Sequence, residues 1–332
     1  MSGPIWIRES DIYQLTFAHV IPLLRKAMIR EASGNARNME KTHVQWNGGT
    51  MHAIGAVFAD TGVLGVKTWA HTAKGATPLE ILWDAETGKL LAIIEAFAMG
   101  QLRTAGMAGF ATDCLADRQA DVLAICGTGK QALAQVAAVA TVRRLRRVNV
   151  FGRDPGRRKA FATRVVDQLK LATEEYDDVG EAVSTATVVT LITRSNEPFL
   201  TAEMPRRGAH INAMGAITPE RGEFEPRLLD RCSVVAVDSV GQARALSAEL
   251  IAAWGQREAP ASLRPLSQVV AACLSRPADA DLTLFKSLGV GIADLALAEH
   301  IYRFARDHKL GVELPIPAPQ PLDFTALLES SL

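Results

Sequence analysis

The stretch VLAICGTGKQA, residues 122–132, decides the fold class because it joins an apolar run to a glycine-rich turn. The run predicts a strand covered on both faces, and the Ala- and Val-rich residues 131–145 that follow predict a helix. In such a loop the first glycine makes a tight turn, the second lets the backbone approach a pyrophosphate, and a small residue lets helix and strand pack. The N–H groups at the helix start would then bind phosphate. The loop consists of Gly127, Thr128, Gly129, Lys130, Gln131 and Ala132.

Further apolar runs, separated by helical segments, follow this loop. They occupy residues 148–151, 188–193, 210–214 and 234–238. Short buried strands that alternate with helices are typical of a parallel sheet with crossover helices. The sequence therefore predicts an α/β protein with a Rossmann-type doubly wound parallel sheet.

The end of the second predicted strand bears on the choice of nicotinamide cofactor. An acid there would bind the ribose hydroxyls of NADH, whereas an arginine would pair with the 2′-phosphate of NADPH. Gly152 stands where the acid is expected, and Arg153 follows it, with Arg157 and Arg158 nearby. NADPH is favoured over NADH. Asp154 leaves NADH open, and the arginines could equally form a solvated helix start.

The flanking segments have a different pattern. Residues 21–32 predict an amphipathic helix, and the glycine-punctuated stretch up to residue 88 predicts antiparallel hairpins, so this half is expected to be an α+β domain. Residues 282–310 have helical periodicity, and the proline-rich residues 314–321 predict an extended strap. We expect residues 1–115 and 295–332 to form one domain and residues 116–294 to form the dinucleotide-binding domain.

Composition excludes several classes of function. The 332 residues contain 36 basic and 36 acidic side chains, so no basic field is available for nucleic acid or an anionic membrane. The cysteines show no CxxC pairing and no nearby ligand-spaced histidines, so neither a disulfide framework nor a metal site is expected. They are Cys114, Cys126, Cys232 and Cys273. No signal peptide or bilayer-spanning stretch is evident, and we expect a cytoplasmic protein with a small-molecule partner.

Six short motifs, in order along nearly the whole chain, resemble those of the ornithine cyclodeaminase and mu-crystallin family. They are GVK at 65–67, LRTA at 102–105, GTGKQA at 127–132, INAMGA at 211–216, QAR at 242–244 and LFKSLG at 284–289. The resemblance implies a homodimer whose first domain binds substrate and forms the dimer, beside a Rossmann domain.

The resemblance also implies roles for individual residues. Lys67 would donate the catalytic proton, and Arg103 would clamp the substrate carboxylate, for which a guanidinium is well suited. A third cation would be Arg37, or Lys41 if the register is shifted, and Gly289 would line the substrate. The cofactor would contact Thr77, Arg103, the loop at residues 127–132, Arg153, Thr193, Met214 and Arg221.

One departure from the family pattern concerns ammonia loss. Cyclodeaminases carry an acid directly after the G-A or G-G pair at the end of the strand that contains the INAMGA motif. This chain has Ile217 at that position. An isoleucine cannot accept a proton, and neither Thr218 nor Glu220 matches the motif. Reductases and dehydrogenases of the family also lack this acid, since their chemistry requires hydride delivery to a C=N bond and one proton donor.

Two further departures bear on the substrate. His52, His71 and Lys74 would extend recognition to a second carboxylate, as in iminosuccinate, or are solvated or packed hairpin residues. Glu95 would orient Lys67 or Arg103, or belong to a structural ion pair.

The sequence thus predicts an NAD(P)H-dependent reductase of an α-imino acid, either a cyclic ketimine such as pyrroline-2-carboxylate or piperideine-2-carboxylate, or a linear imino acid such as iminosuccinate. One alternative is an ornithine or lysine cyclodeaminase that retains NAD⁺. Another is a non-catalytic NADPH-binding protein.

Overall fold

A computed structural model describes residues 3–12, 15–255, 257, 260–274, 276–322 and 324. Within these residues the chain forms a mixed sheet, a parallel sheet and the helices that cover them. The parts of the predicted domain at residues 1–2, 13–14, 323 and 325–332 lie outside the described residues. No helix within the described ranges is long and apolar enough to cross a membrane.

The mixed sheet is built from the N-terminal third of the chain and a short C-terminal strand. Its strands are β1 Ile5–Ile7, β2 Ala36–Asn38, β3 Thr42–Trp46, β4 Gly49–Phe58, β5 Val63–Thr72, β6 Gly75–Ala76, β7 Leu79–Asp84, β8 Leu90–Glu95 and β17 Val312–Glu313. Their order is β17-β1-β8-β7-β5-β4-β2, with β3 on β4 and β6 on β5. All pairs are antiparallel except β1 with β8. The predicted hairpins are confirmed.

The second sheet is parallel throughout the described residues. Its strands are β9 Val122–Cys126, β10 Arg147–Phe151, β11 Thr173–Tyr176, β12 Val188–Leu191, β13 His210–Ala213, β14 Cys232–Val237, β15 Leu263–Pro265 and β16 Leu282–Lys286. Their order is β11-β10-β9-β12-β13-β16-β14-β15, which reverses direction beside β9 as a doubly wound sheet does. All five predicted strands are present, so the α/β prediction is confirmed.

Helices cover both sheets. They are α1 Phe17–Ala32, α2 Phe97–Leu115, α3 Ala132–Val142, α4 Pro155–Arg164, α5 Val179–Ser184, α6 Val240–Leu246, α7 Ala248–Trp254, α8 Leu266–Ala271 and α9 Gly291–Asp307. Short 3₁₀ turns lie at Glu9–Ile12 and Pro226–Arg231, and a π-helical turn at Val165–Leu169 extends α4. The predicted helix at residues 21–32 is confirmed as part of α1.

The continuous helix expected over residues 282–310 is wrong in its first part. Leu282–Lys286 is the strand β16, which lies between β13 and β14 with all five residues buried. The apolar run continues through both elements, so periodicity alone does not separate strand from helix. Gly289, with φ of +86°, is part of the break before α9 begins at Gly291.

Arg143, directly after α3, contacts the end of α2. The helix predicted over residues 131–145 ends at Val142, so Arg143 is not part of its last turn. Buried Arg143 instead donates hydrogen bonds to the carbonyl oxygens of Thr112, Ala116 and Asp117 at the end of α2. It thereby links the start of the segment after α3 to the carbonyl groups at the C-terminal end of α2.

Helix α9 lies against the mixed sheet. A side chain on Gly291 would overlap the carbonyl oxygen of Gly55 on β4, so the helix starts in direct contact with that strand. Its buried residues share one apolar core with α1, α2 and β8. Residues 314–322 form neither helix nor strand and are mostly exposed, as the proline-rich composition predicts.

Candidate functional site

The carboxyl ends of the parallel strands collect the predicted cofactor residues at one edge. The residues that follow β9, β10, β12, β13 and β16 are Gly127, Gly152, Ile192 and Thr193, Met214, and Ser287 to Gly289. In an open parallel sheet this edge, where the strand order reverses, is where ligands bind. The fold therefore brings these residues together.

The glycine-rich loop has the shape that a dinucleotide requires. Gly127 has φ of +120°, and a Cβ there would lie 2.5 Å from the carbonyl oxygen of Ile192. No atom lies within 4 Å of a Cβ built on Gly129, so the space beside the loop is open for phosphate groups. Helix α3 begins at the fully buried Ala132, directing its N-terminus at the loop. A nicotinamide dinucleotide fits this loop.

The segment after β10 presents arginines to solvent. Arg153 is exposed and forms no ion pair within the described ranges. Arg158 donates a hydrogen bond of 2.8 Å to the carbonyl oxygen of Gly152 and lies 3.5 Å from Glu175. Asp154 caps α4 by accepting from the N–H of Arg157 at 2.8 Å. One carboxylate oxygen of Asp154, the acid that kept NADH as an alternative cofactor, is therefore occupied by this capping hydrogen bond.

Glu223 holds the ends of β12 and β13 in place. One oxygen of this buried carboxylate accepts from the N–H and hydroxyl of Thr193 at 2.6 and 2.7 Å, and the other accepts from the N–H groups of Gly215 and Ala216 at 2.8 and 3.0 Å. Burial raises the pKa of Glu223, while Lys286 and these hydrogen bonds act in the opposite direction. The sequence analysis did not identify this residue.

Asp238 holds the loop after β16. Its carboxylate accepts from the Ser287 hydroxyl at 2.8 Å and from the N–H groups of Leu288 and Gly289 at 2.7–3.0 Å. A Cβ on Gly289 would lie 3.0 Å from Nη1 of Arg103. The guanidinium of Arg103 therefore lies against this loop, at the ligand-binding edge of the parallel sheet.

Lys67 and Arg103 share one carboxylate, that of Asp294 in the first turn of α9. Lys67 Nζ pairs with Asp294 Oδ1, and Arg103 Nε lies 3.0 Å from the same oxygen. Asp294 Oδ2 is buried and has no hydrogen-bond partner among the described residues. Burial and then Arg103 lower the pKa of Lys67, while Asp294 raises it. Burial acts to raise the pKa of Asp294, but the two cations outweigh it and the pKa is lowered.

Glu80 lies directly across from Lys67 on β7. It is buried, and its Oε2 has no hydrogen-bond partner among the described residues. Burial, followed by the charge of Asp294, raises the pKa of Glu80 well above its ordinary value. A neutral Glu80 leaves two cations against the single charge of Asp294. The cluster can therefore accept one more carboxylate, and a lysine of lowered pKa can donate a proton.

Lys41 interacts electrostatically with the groups of this cluster. Burial, and then the charge of Arg103, lowers the pKa of Lys41 to about 8, with Lys67 and Asp294 also acting on it. Arg37 lies on β2 between buried Ala36 and half-buried Asn38, and its side chain is exposed. Because strand side chains alternate, Arg37 points away from the face on which Asn38 contacts α9. The structure thus favours the shifted register.

A row of rings extends from Lys67 across the mixed sheet, and we name His43, His52, Trp69 and His71 the ring row. Lys67 Nζ lies 5.3 Å from the centre of the Trp69 ring. Trp69 stacks on His52 at 4.7 Å, and His52 on His43 at 5.8 Å. Burial, then Lys41, His43 and His71, lowers the pKa of His52 to about 4.

Several predicted residues take other positions. Glu95 accepts hydrogen bonds from Trp6 Nε1 and the N–H of Glu9, so its predicted pairing with Lys67 or Arg103 is wrong. Lys74 lies in the exposed turn between β5 and β6. Ile217 is half-buried against the apolar core of the parallel sheet. Thr77 is exposed and precedes β7. Arg221 is half-buried, and its N–H donates to the carbonyl oxygen of Thr218.

Sequence reasoning missed Glu80, Asp294 and Glu223. The first two are single acids inside apolar segments, LEILW and GIADLALA, and a lone charge at such positions is a usable signal because it must be paired or neutral when buried. No local pattern marks Glu223.

A sequence profile described as the ornithine cyclodeaminase/mu-crystallin family matches residues 8–309. Ketimine reductase mu-crystallin of Mus musculus is 31% identical over 223 residues, which are 67% of each chain. The structure of Thermococcus litoralis Δ1-pyrroline-2-carboxylate reductase with NADH and L-proline superposes with a TM-score of 0.87 at 25% identity, covering 93% of this chain and all of that one. Iminosuccinate reductase of Paracoccus denitrificans with NAD⁺ superposes equally well, at 25% identity, over 95% of this chain and all of the other.

Proposed function

Because this chain belongs to the ornithine cyclodeaminase/mu-crystallin family, we propose that it is an oxidoreductase that reduces the C=N bond of an α-imino acid with a nicotinamide cofactor. The observation that carries the proposal is the contact between Arg103 and Gly289. Arg103 on α2 pairs with Asp294, the partner of Lys67, and also lies against the loop after β16 of the parallel sheet, which supports a substrate site next to the cofactor. The named relatives act on imine or ketimine substrates and support the same reaction class.

The chain's own residues have distinct tasks in this reaction. Arg103 and Lys41 hold the substrate carboxylate, since a guanidinium binds a planar carboxylate with two parallel hydrogen bonds. Lys67 Nζ donates its proton to the imine nitrogen, and Asp294 keeps Lys67 oriented. The cofactor, when bound, supplies the hydride to the imine carbon. Sheltering of Lys67 and Asp294 from water strengthens each of these electrostatic interactions.

For the cofactor, we propose the loop at residues 127–132 as the pyrophosphate site and NADPH as the preferred form. Arg153 is exposed beside the expected 2′-phosphate and has no ion pair among the described residues, and Gly152 stands where an acid would repel that phosphate. Thr193 and Met214 lie at the strand ends where the nicotinamide and its ribose would bind. The named structural relatives bind NADH or NAD⁺, so the choice of NADPH rests on Arg153 alone.

Ile217 argues against the cyclodeaminase alternative, because its half-buried side chain packs against apolar residues where ammonia loss needs a base. Lys67 and Arg103, which share the buried carboxylate of Asp294, argue against a purely non-catalytic ligand-binding protein. We also propose a homodimer in the cytoplasm, with residues 1–115 and 295–332 as the substrate and dimerisation domain and residues 116–294 as the cofactor domain.

The test is cofactor absorbance at 340 nm with purified protein, using NADPH and NADH in parallel. The substrates are pyrroline-2-carboxylate, piperideine-2-carboxylate, and pyruvate or oxaloacetate with ammonia. We expect oxidation of the cofactor with at least one of them. Release of ammonia from L-ornithine, with no cofactor consumed in any mixture, would establish the cyclodeaminase instead.

A further inference from the structure

The ring row lies on the same face of the mixed sheet as Lys67. Lys67 and Trp69 are two residues apart on β5, and Trp69 faces His52 directly across the β4–β5 pair. His43 is in turn the cross-strand partner of His52 on β3. Since residues two apart on a strand share a face, His71 continues this side of β5 beyond Trp69. The row therefore leads outward from the cation cluster.

The electrostatic surroundings of the ring row favour an anion. Within the described ranges, the ionisable groups that act on His52 are Lys41, His43 and His71, all of which are cations when charged. One acid, Glu220 in the turn after β13, interacts electrostatically with His43 of the ring row. His52 Nδ1 is sheltered from solvent and has no hydrogen-bond partner among the described residues. The region thus combines a positive field with an unused imidazole nitrogen.

The α-carboxylate of the substrate does not need these groups. Arg103 and Lys41 are already proposed to hold it, and Trp69 contacts both Lys67 and His52. A second anionic group attached to the same substrate would reach past Trp69 to the ring row. An imino acid with an apolar side chain or a plain ring would leave the imidazoles without a partner.

We propose that the ring row binds a second carboxylate carried by the substrate side chain, so that the preferred substrate is a four-carbon α-imino dicarboxylate such as iminosuccinate. His52 is the central residue of this subsite, and His43 and His71 flank it. This inference rests on the proposed function and names its substrate class.

Neutral imidazole suits this role. At neutral pH the lowered pKa of His52 leaves the ring uncharged, with one N–H to donate and one nitrogen to accept. A hydrogen bond to a carboxylate contributes about 1.5–3 kcal/mol, which corresponds to roughly a ten- to hundredfold effect on affinity. Stacking on Trp69 holds the ring in a fixed orientation, so little entropy is lost when the carboxylate binds.

The experiment compares substrates that differ in the second carboxylate. Cofactor oxidation is measured with iminosuccinate, formed from oxaloacetate and ammonia, with 2-iminopropionate, formed from pyruvate and ammonia, and with pyrroline-2-carboxylate. The variant is His52→Phe, which keeps a ring against Trp69 and removes its hydrogen bonds. The matched control is His308→Phe, because exposed His308 also stacks on an aromatic ring, that of Phe304 at 4.0 Å, at the far end of α9.

We expect kcat/KM for iminosuccinate to exceed that for 2-iminopropionate at least about tenfold, and H52F to lower only the former by about tenfold or more. H308F should change neither. Equal kcat/KM for the two linear substrates, or an equal loss for all substrates in H52F, would overturn the inference and leave the proposed reductase intact.

A binding measurement separates the inference from the reaction. Succinate and butyrate differ by one carboxylate and cannot be reduced, and their affinities for the protein saturated with NADPH are measured by calorimetry. We expect succinate to bind at least about tenfold more tightly, and H52F to abolish the difference. If succinate is preferred but no imine is reduced, the subsite stands and the proposed function fails. If butyrate binds equally well, the subsite is wrong.

Discussion

Lys67 and Glu80 lie directly opposite each other on β5 and β7, and only 4% and 1% of their surfaces are exposed. A buried lysine beside a buried glutamate would ordinarily form an ion pair. Here Lys67 pairs with Asp294, and the pKa of Glu80 is raised by burial and by the charge of Asp294. The surroundings of Glu80 therefore favour its protonated form beside Lys67.

Glu80→Gln should remove a pH dependence from stability. Because the pKa of folded Glu80 lies well above the ordinary 4.5, the folded protein keeps a proton that the unfolded chain loses above about that pH. The free energy of unfolding of the wild type therefore falls as pH rises from about 4.5 toward the folded pKa. Glutamine has no such proton, so the stability of E80Q relative to wild type should increase from pH 5 to 8.

Urea denaturation at pH 5, 6.5 and 8 measures this difference, with exposed Glu86→Gln as the control. E86Q should track the wild type at each pH. If the free energy of unfolding of E80Q relative to the wild type stayed constant or fell from pH 5 to 8, Glu80 would be ionised in the folded protein.

Lys67→Met should abolish most turnover without weakening cofactor binding. The variant removes the proton donor but leaves Arg103 paired with Asp294, so the cluster keeps a cation for its buried carboxylate. A missing general acid costs about 10²–10⁴ in kcat. Steady-state kinetics and fluorescence titration with NADPH measure both effects. Exposed Lys89→Met is the control, and wild-type turnover in K67M would remove Lys67 from the mechanism.

Lys41 should cause an alkaline loss of substrate affinity. As pH rises through about 8, Lys41 loses its charge and the substrate carboxylate loses one cation, so KM should increase. Pyrrole-2-carboxylate, an unreactive anion, is titrated as a competitive inhibitor between pH 6.5 and 9.5. We expect its inhibition constant to rise above pH 8 in the wild type.

Two variants identify the cation responsible. Lys41→Gln should weaken inhibition about tenfold at pH 7 and remove the alkaline change, because a charge-assisted hydrogen bond is lost. Arg37→Gln should behave as the wild type, since Arg37 is exposed on the opposite face of β2. The reverse pattern would restore Arg37 as the third cation.

Gly289→Ala should displace the guanidinium of Arg103. The new Cβ would lie 3.0 Å from Nη1, and φ of +86° disfavours any side chain by about 1–2 kcal/mol. We expect KM for the imino acid to rise about tenfold and Tm to fall by a few degrees. Gly88→Ala is a matched control, because Gly88 also has positive φ, +67°, and no neighbour within 4 Å of its Cβ. G88A should lower Tm alone; a rise in its KM equal to that in G289A would contradict the contact.

Glu223→Gln should raise the KM for the cofactor although the side chain keeps its size. Both carboxylate oxygens of Glu223 accept from N–H groups. In the glutamine variant an NH₂ group replaces one of these oxygens and faces N–H groups that are also donors. Those N–H groups lose their acceptor, at a cost of about 1–3 kcal/mol. The loops after β12 and β13 should then lose their alignment. We expect a cofactor KM at least about tenfold higher, measured at saturating imino acid, with little change in the KM for the imino acid. An unchanged cofactor KM in E223Q would show that the loops do not need this carboxylate.

Local sequence patterns predicted the cofactor half well. The loop at residues 127–132 is flanked by β9 and α3 as expected, because an apolar run, a glycine turn and an Ala-rich segment each act over a few residues. Strand β16 was missed for the same reason: Leu282–Lys286 and α9 form one apolar run, and only the neighbouring strands β13 and β14 decide that its first part is extended.

Lys67 and Arg103 were identified from short motifs, but their partners were not. Glu95 is the acid nearest to Arg103 in the sequence among those considered, yet it binds Trp6 and Glu9. Arg37 and Lys41 are four residues apart, and only strand alternation and the packing of α9 place one outside the site and the other inside it.

The sequence by itself determined the class of fold and the cofactor loop, since both depend on hydrophobic period and turn chemistry within about ten residues. The tertiary structure alone decided the charge state of the site. Asp294 meets Lys67 across 227 positions of the chain, and burial together with the charge of Asp294 raises the pKa of Glu80. Burial and long-range pairing set these protonation states, and neither is a property of a local segment.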